Sequence, residues 1–192
     1  MIIGLTGFSG SGKTTVSQIF AEQGYFVVDC DRIVHEEVYQ KPKVLDAIAA
    51  AFGQECIEEG KLNRTILRSK TMGNPQETMR LNQTVLPLIA EHIQSILKQN
   101  AHRPILLDAP TLFESGLQKQ CHKIICVIAS PRIALKRIME RDHLSEEDAK
   151  KRLSSQHPAS YYTERSDFTI LNDGDMDHLR AQAKEIIEVL HG

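Results

Sequence analysis

Residues 7–14, Gly-Phe-Ser-Gly-Ser-Gly-Lys-Thr, satisfy the spacing G-x-x-x-x-G-K-[ST] of loops that hold nucleotide phosphates. Glycines at 7, 10 and 12 let the backbone turn with positive φ and approach an anion with no Cβ in the way. Lys13 can reach the β- and γ-phosphates, and the Thr14 hydroxyl can ligate Mg²⁺. Two carboxylates follow apolar runs, Asp31 after Phe26-Val27-Val28 and Asp108 after Ile105-Leu106-Leu107. Acidic side chains at the carboxyl ends of strands face the ligand crevice of phosphate-binding α/β folds. An apolar run ending in Asp also resembles the element that holds Mg²⁺ directly or through water, which makes Asp108 a candidate. Arg137 and Arg141 stand four residues apart on one helix face, directly after an apolar strand. Arginines so placed can neutralise charge on a transferring phosphoryl group, an effect of roughly 10³ to 10⁵ in rate.

The elements that must position these groups are legible as alternating apolar runs and helical stripes. Ile2, Ile3 and Leu5 predict a strand entering the loop, and Val16, Ile19 and Phe20 a helix leaving it, stopped by Gly24. Backbone N–H groups at that helix start favour phosphate. Further strands are predicted at Tyr25–Val28, Ile105–Asp108, Ile124–Ile128 and Phe168–Leu171. A helix is expected over Arg32–Gln40, and Asp31 is a candidate for its N-cap beside the favoured reading that it faces the crevice, the two being compatible. Residues 42–102 show helical stripes and no convincing strand, with Gly53 ending one helix and Asn63 capping another. Pro87 must sit in the first turn of a helix there or kink it. Pro131 opens the arginine-bearing helix, Asp142-His143 breaks it, and Ser145 with Asp148 matches a capping box. Asp175 or Asp177 caps the last helix.

The expected fold is therefore α/β, a five-stranded parallel sheet with helices on both faces. About sixty helical residues between the second and third strands are too many for a plain crossover, which predicts an inserted subdomain for a second substrate. The expected division is a nucleotide-binding core of residues 1–34, 103–134 and 166–192, a helical acceptor domain over 35–102 and a lid over 135–165.

The 192 residues can bury a proper core, and a formal charge of −2 gives no electrostatic footprint for nucleic acid or an anionic membrane. The amino-terminal stretch lacks a basic, apolar leader pattern and no span approaches membrane length, so cytoplasmic residence is expected. Cys121-His122 with Cys126 reads as half a zinc site, but a buried strand cysteine beside a surface pair accounts for it better. A switch GTPase would need Asn-Lys-x-Asp, which does not occur, and a transport ATPase a longer domain. A small-molecule kinase needs what is present.

Longer stretches resemble dephospho-coenzyme A kinases. Residues 4–16 are similar to that family's G-L-T-G-G-I-G-S-G-K-S-T-V, Asp29-Cys30-Asp31 to its D-A-D, and Pro110-Thr111-Leu112-Phe113-Glu114 to its P-L-L-F-E. Arg137-x-x-x-Arg141, Ser145-Glu146-Glu147-Asp148-Ala149 and Arg152-x-x-x-Gln156 resemble its flap, and 166–172 its A-D-y-v-I-x-N. Departures are Phe8-Ser9 for Gly-Ile, Cys30 for Ala, Thr111 for Leu, and Leu86-Pro87 where the family usually has His-Pro.

The resemblance implies transfer of phosphate from ATP, with Mg²⁺, to the ribose 3′-hydroxyl of 3′-dephospho-CoA. It implies an ATP cradle of Gly10, Ser11, Gly12, Lys13, Thr14 and Thr15, with Asn172 near the adenine. Asp31, Lys13, Arg137 and Arg141 become the catalytic set, and Asp31, Pro110 and Glu114 the acceptor side. Two alternatives stay open, a nucleoside monophosphate or shikimate type of kinase and a non-catalytic nucleotide sensor.

Overall fold

The computed structural model describes residues 1–191. In chain order they form β1 (Ile2–Thr6), α1 (Lys13–Glu22), β2 (Phe26–Asp29), α2 (Cys30–Glu36), α3 (Pro42–Phe52), β3 (Ile57–Glu58) and β4 (Lys61–Leu62). There follow α4 (Arg64–Thr71), α5 (Pro75–Gln99), β5 (Ile105–Asp108), β6 (Lys123–Ile128), α6 (Pro131–Asp142), α7 (Glu146–Ser154), α8 (Ala159–Thr163), β7 (Phe168–Leu171) and α9 (Met176–His191). The chain divides into two compact units, residues 29–99 and the remainder.

The larger unit carries a five-stranded sheet in the order β2-β5-β1-β6-β7. β1 is central and runs parallel to both neighbours, with Ile3 opposite Leu106 on one side and Lys123 on the other. β5 is buried at all four positions, as expected for a strand covered on both faces. Ile3, Leu5 and Leu106 of the sheet pack with Val16, Ile19 and Phe20 of α1 and with Leu179, Ala183 and Ile187 of α9. This packing fixes the start of α1, and with it the loop from β1, against a rigid base. At the opposite edge Asp167 accepts bonds from the Ile124 amide (2.8 Å) and Lys123 Nζ (2.9 Å), tying the entry of β7 to β6. Burial works to raise the Asp167 pKa, but those bonds and the Lys123 charge outweigh it and hold it below the ordinary value.

Residues 29–99 bury a separate interior in which Ile48 of α3 and Ile93 of α5 are fully enclosed. Three expectations are corrected. Asp29, not Asp31, caps α2, accepting from the Arg32 amide at 3.0 Å, and Asp31 lies in the first turn. That helix stops at Glu36, and a 3-10 turn over Val38–Gln40 replaces its expected last turn. The segment read as free of strands contains the antiparallel pair β3–β4. Its turn is Glu59-Gly60, both with positive φ (49° and 73°), the backbone of a tight two-residue hairpin. Pro87 sits well inside α5, which runs on to Gln99. Val85, Ile93 and Leu97 are buried on either side of it, so tertiary packing sustains the helix where one backbone bond is missing. Asp175 caps α9, accepting from the His178 amide at 2.9 Å.

Candidate active site

The loop between β1 and α1 turns on glycines at left-handed angles. Gly10 (φ 83°) lies against the Ala134 carbonyl, and Gly12 (φ 90°) against the Asn172 side-chain amide, where a Cβ would collide in both cases. Gly12 is also the N-cap of α1, with no side-chain cap and no acidic residue in the first turn. The Thr15 amide turns back to the Gly12 carbonyl at 3.0 Å, which leaves the Lys13 and Thr14 amides to an anion, and the helix dipole favours one. The Ser11 side-chain oxygen is buried with no hydrogen-bond partner among the described residues, and Thr14 is exposed.

Lys13 forms an ion pair with Asp108 at the end of β5, the two side chains 14% and 6% exposed. The pair follows from the sheet register, which sets Asp108 opposite Leu5 one residue before the loop. In this arrangement the ammonium is held by protein, beside the cradle that a triphosphate would enter.

α6 leaves β6 and brings both arginines to the loop. Arg137 donates to the Gly10 carbonyl (3.4 Å) and to Asn172 Oδ1 (3.3 Å). Asn172, buried just beyond β7, donates in turn to the Ser11 carbonyl at 2.8 Å. Arg141 donates to Ser9 Oγ at 3.0 Å and makes two bonds of 2.8 Å to the Asp142 carboxylate, which also accepts from Arg152 at 2.8 Å. The hydrogen bond from Arg141 holds the Asp142 carboxyl below its ordinary range, helped by the charges of Arg141 and Arg152. The stabilisation from these contacts is therefore present through neutral pH and is lost as pH falls through that lowered value. The Ser9 amide donates to Gln156 Oε1 at 2.7 Å, and Phe8 packs with Tyr162, Ala134 and Cys126. The two loop positions that depart from the resembling family's pattern are thus joined to the helical segment above them.

The family model described as CoaE, dephospho-CoA kinase, matches residues 1–178. A dephospho-CoA kinase of Latilactobacillus sakei is 36% identical, the alignment covering 97% of this chain and 94% of the relative. The crystal structure of a Thermus thermophilus protein superposes with a TM-score of 0.84 at 27% identity, covering 100% of this chain and 98% of that one. The dephospho-CoA kinase of Campylobacter jejuni does so with 0.73 at 26%, covering 98% and 96%.

The chain belongs to the dephospho-CoA kinase family. It is accordingly a phosphotransferase on the phosphate-loop kinase fold, and its co-substrate is ATP.

In this family member Gly10, Ser11, Gly12, Lys13, Asn172, Asp108, Arg137 and Arg141 meet around one loop. Thr14 and Thr15 follow in the first turn of α1. Pro110 lies after β5, its carbonyl accepting from the Thr6 hydroxyl (3.2 Å), and Glu114 is paired with His157 (3.2 Å). Asp31 belongs to the other unit, where it is exposed in the first turn of α2. Three participants escaped the sequence reading. In the sequence Ser9 stands only in the Phe8-Ser9 departure from the family pattern, Asp142 as a helix breaker, and Gln156 within the flap resemblance, none of them with a role at the site. Arg152-x-x-x-Gln156 is the signal that could have found the last, because it sets Gln156 just past the end of α7, four residues on from the Arg152 carbonyl it bonds.

Proposed function

We propose that this chain transfers the γ-phosphoryl group of ATP to the ribose 3′-hydroxyl of 3′-dephospho-CoA, giving CoA and ADP in the last step of coenzyme A synthesis. The observation that carries this reading is the family match over residues 1–178, which spans loop, acceptor motifs and flap alike. In the reaction the 3′-oxygen forms a bond to the γ-phosphorus, the bond from that phosphorus to the β,γ-bridging oxygen breaks, and the hydroxyl proton passes to Asp31. Amides of residues 10–15 hold the triphosphate, and Lys13 exchanges the Asp108 carboxylate for phosphate oxygens. Arg137 and Arg141 offset charge on the moving group, and most of the rate gain comes from alignment and electrostatics. Asn172 supports the Ser11 edge of the loop on the adenine side.

An exposed threonine hydroxyl and a carboxylate are a donor set suited to Mg²⁺, which prefers oxygen ligands. Thr14 and Asp108, the latter directly or through water, would hold the ion brought in with ATP, which neutralises charge on the β- and γ-phosphates when bound. Residues 35–102 supply the acceptor domain, with Pro110 and Glu114 on the acceptor side of the core, and residues 135–165 act as the lid. The reaction belongs in the cytoplasm. Among the described residues no helix is long and apolar enough to cross a membrane.

The test is ADP release with Mg-ATP alone and then with 3′-dephospho-CoA, AMP, CMP or shikimate added singly. Stimulation by 3′-dephospho-CoA alone is expected. Stimulation by AMP, CMP or shikimate would assign the chain to another kinase class, and a response to none would make it a nucleotide sensor.

A further inference from the structure

Five residues close a hydrogen-bonded ring beside the phosphate loop. The Ser9 amide donates to Gln156 Oε1 (2.7 Å), and Gln156 Nε2 donates to the Arg152 carbonyl (3.0 Å). Arg152 Nη1 donates to Asp142 Oδ2 (2.8 Å), Arg141 donates to the same carboxylate, and Arg141 Nη2 returns to Ser9 Oγ (3.0 Å). Ser9 is therefore held twice, once through its backbone by Gln156 and once through its hydroxyl by Arg141. Gln156 uses both ends of its amide, so its orientation is set by two partners. Capping the last turn of α7 would need only the bond to Arg152. The bond to Ser9 spans 147 positions of sequence and does nothing for that helix.

We infer that Gln156 is a positioning residue for phosphoryl transfer, fixing the Ser9 corner of the phosphate loop to α7 so that Arg141 and the loop keep one mutual geometry. The inference rests on the functional reading above for the role of Arg141. The two side-chain bonds of Gln156 both go to protein backbone, to the Ser9 amide and the Arg152 carbonyl. Gln156 acts through Ser9, which Arg141 also grips, and through Arg152, which shares Asp142 with Arg141. A misplacement of about 1 Å at such a charge is enough to cost up to 10²-fold in rate. Alanine at 156 breaks both bonds. Glutamate keeps an acceptor for the Ser9 amide but cannot donate to the Arg152 carbonyl, and it adds a negative charge beside the triphosphate site.

Steady-state kinetics of Gln156→Ala and Gln156→Glu, each also combined with Arg141→Ala, test the inference. Gln156→Ala is expected to lower kcat roughly 10- to 100-fold with the KM for 3′-dephospho-CoA unchanged. In the Arg141→Ala background the same change should cost less than about twofold, because the residue it positions is gone. A kcat within twofold of wild type, or a full loss repeated in the Arg141→Ala background, overturns the inference. Hydrogen exchange at the loop, read with Mg-ADP present, supplies a second measurement independent of the acceptor. Gln156→Ala should speed exchange at the Ser9 amide about tenfold and Gln156→Glu much less. Unchanged protection in Gln156→Ala overturns the inference as well. Wild-type protein that fails to phosphorylate 3′-dephospho-CoA counts against the functional reading alone, and the exchange result then decides for Gln156.

Discussion

Replacing Lys13 by methionine is expected to weaken ATP binding and turnover together and also to destabilise the folded chain. The second effect follows from the ion pair with Asp108, whose side chain is only 6% exposed. Removing the ammonium leaves a buried carboxylate uncompensated, and breaking a buried pair from one side costs about 3–5 kcal/mol. Adding Asp108→Asn should return most of that stability, since the orphaned charge is then gone, but it should not return nucleotide affinity. Urea unfolding and ADP titration of the two single variants and the double variant separate the effects as a cycle. Unaltered nucleotide affinity in Lys13→Met would contradict the assignment of the loop, and unaltered stability would contradict the buried pair.

Asp31→Asn should leave ATP binding and stability nearly intact while turnover drops by roughly 10² or more. The structure makes this a clean experiment. The cap of α2 is Asp29, whose carboxylate accepts from the Arg32 amide at 3.0 Å, so the cap bond itself is kept when position 31 is changed. Asp29→Ala is the matching control, expected to cost about 1 kcal/mol of stability through loss of the cap. Near-normal turnover in Asp31→Asn removes that carboxylate from the mechanism.

The phosphate loop was legible because its chemistry acts on adjacent residues, each glycine and Lys13 being required at a fixed offset. β5 was legible for a related reason, since a strand buried on both faces must be apolar throughout. Capping of α2 was misread because Asp29 and Asp31 are the same residue type two positions apart, and only the backbone at Asp29 is extended. β3 and β4, two residues each, are too short to show alternation, and their turn uses Glu59 where asparagine or aspartate is the usual cue. Pro87 left two places open, a first turn or a helix interior, and burial on both sides of it offsets the one missing bond in the interior. The contact of Gln156 with Ser9 joins polar residues far apart in sequence, and no periodicity marks such a pair.

The order of the two units along the chain bears on how the protein is made. Residues 29–99 are contiguous and their helices α3 and α5 meet within that stretch, whereas β1 pairs with strands that begin at residues 105 and 123. On a ribosome the central strand therefore emerges ahead of both its partners and waits, unpaired, while the whole insert is synthesised. Local contacts form early and distant ones late, so the insert should acquire structure before the sheet does. Pulse-labelled exchange during refolding should show amides of α3 and α5 protected ahead of those of β1. Simultaneous protection would mean that the two units fold as one cooperative body.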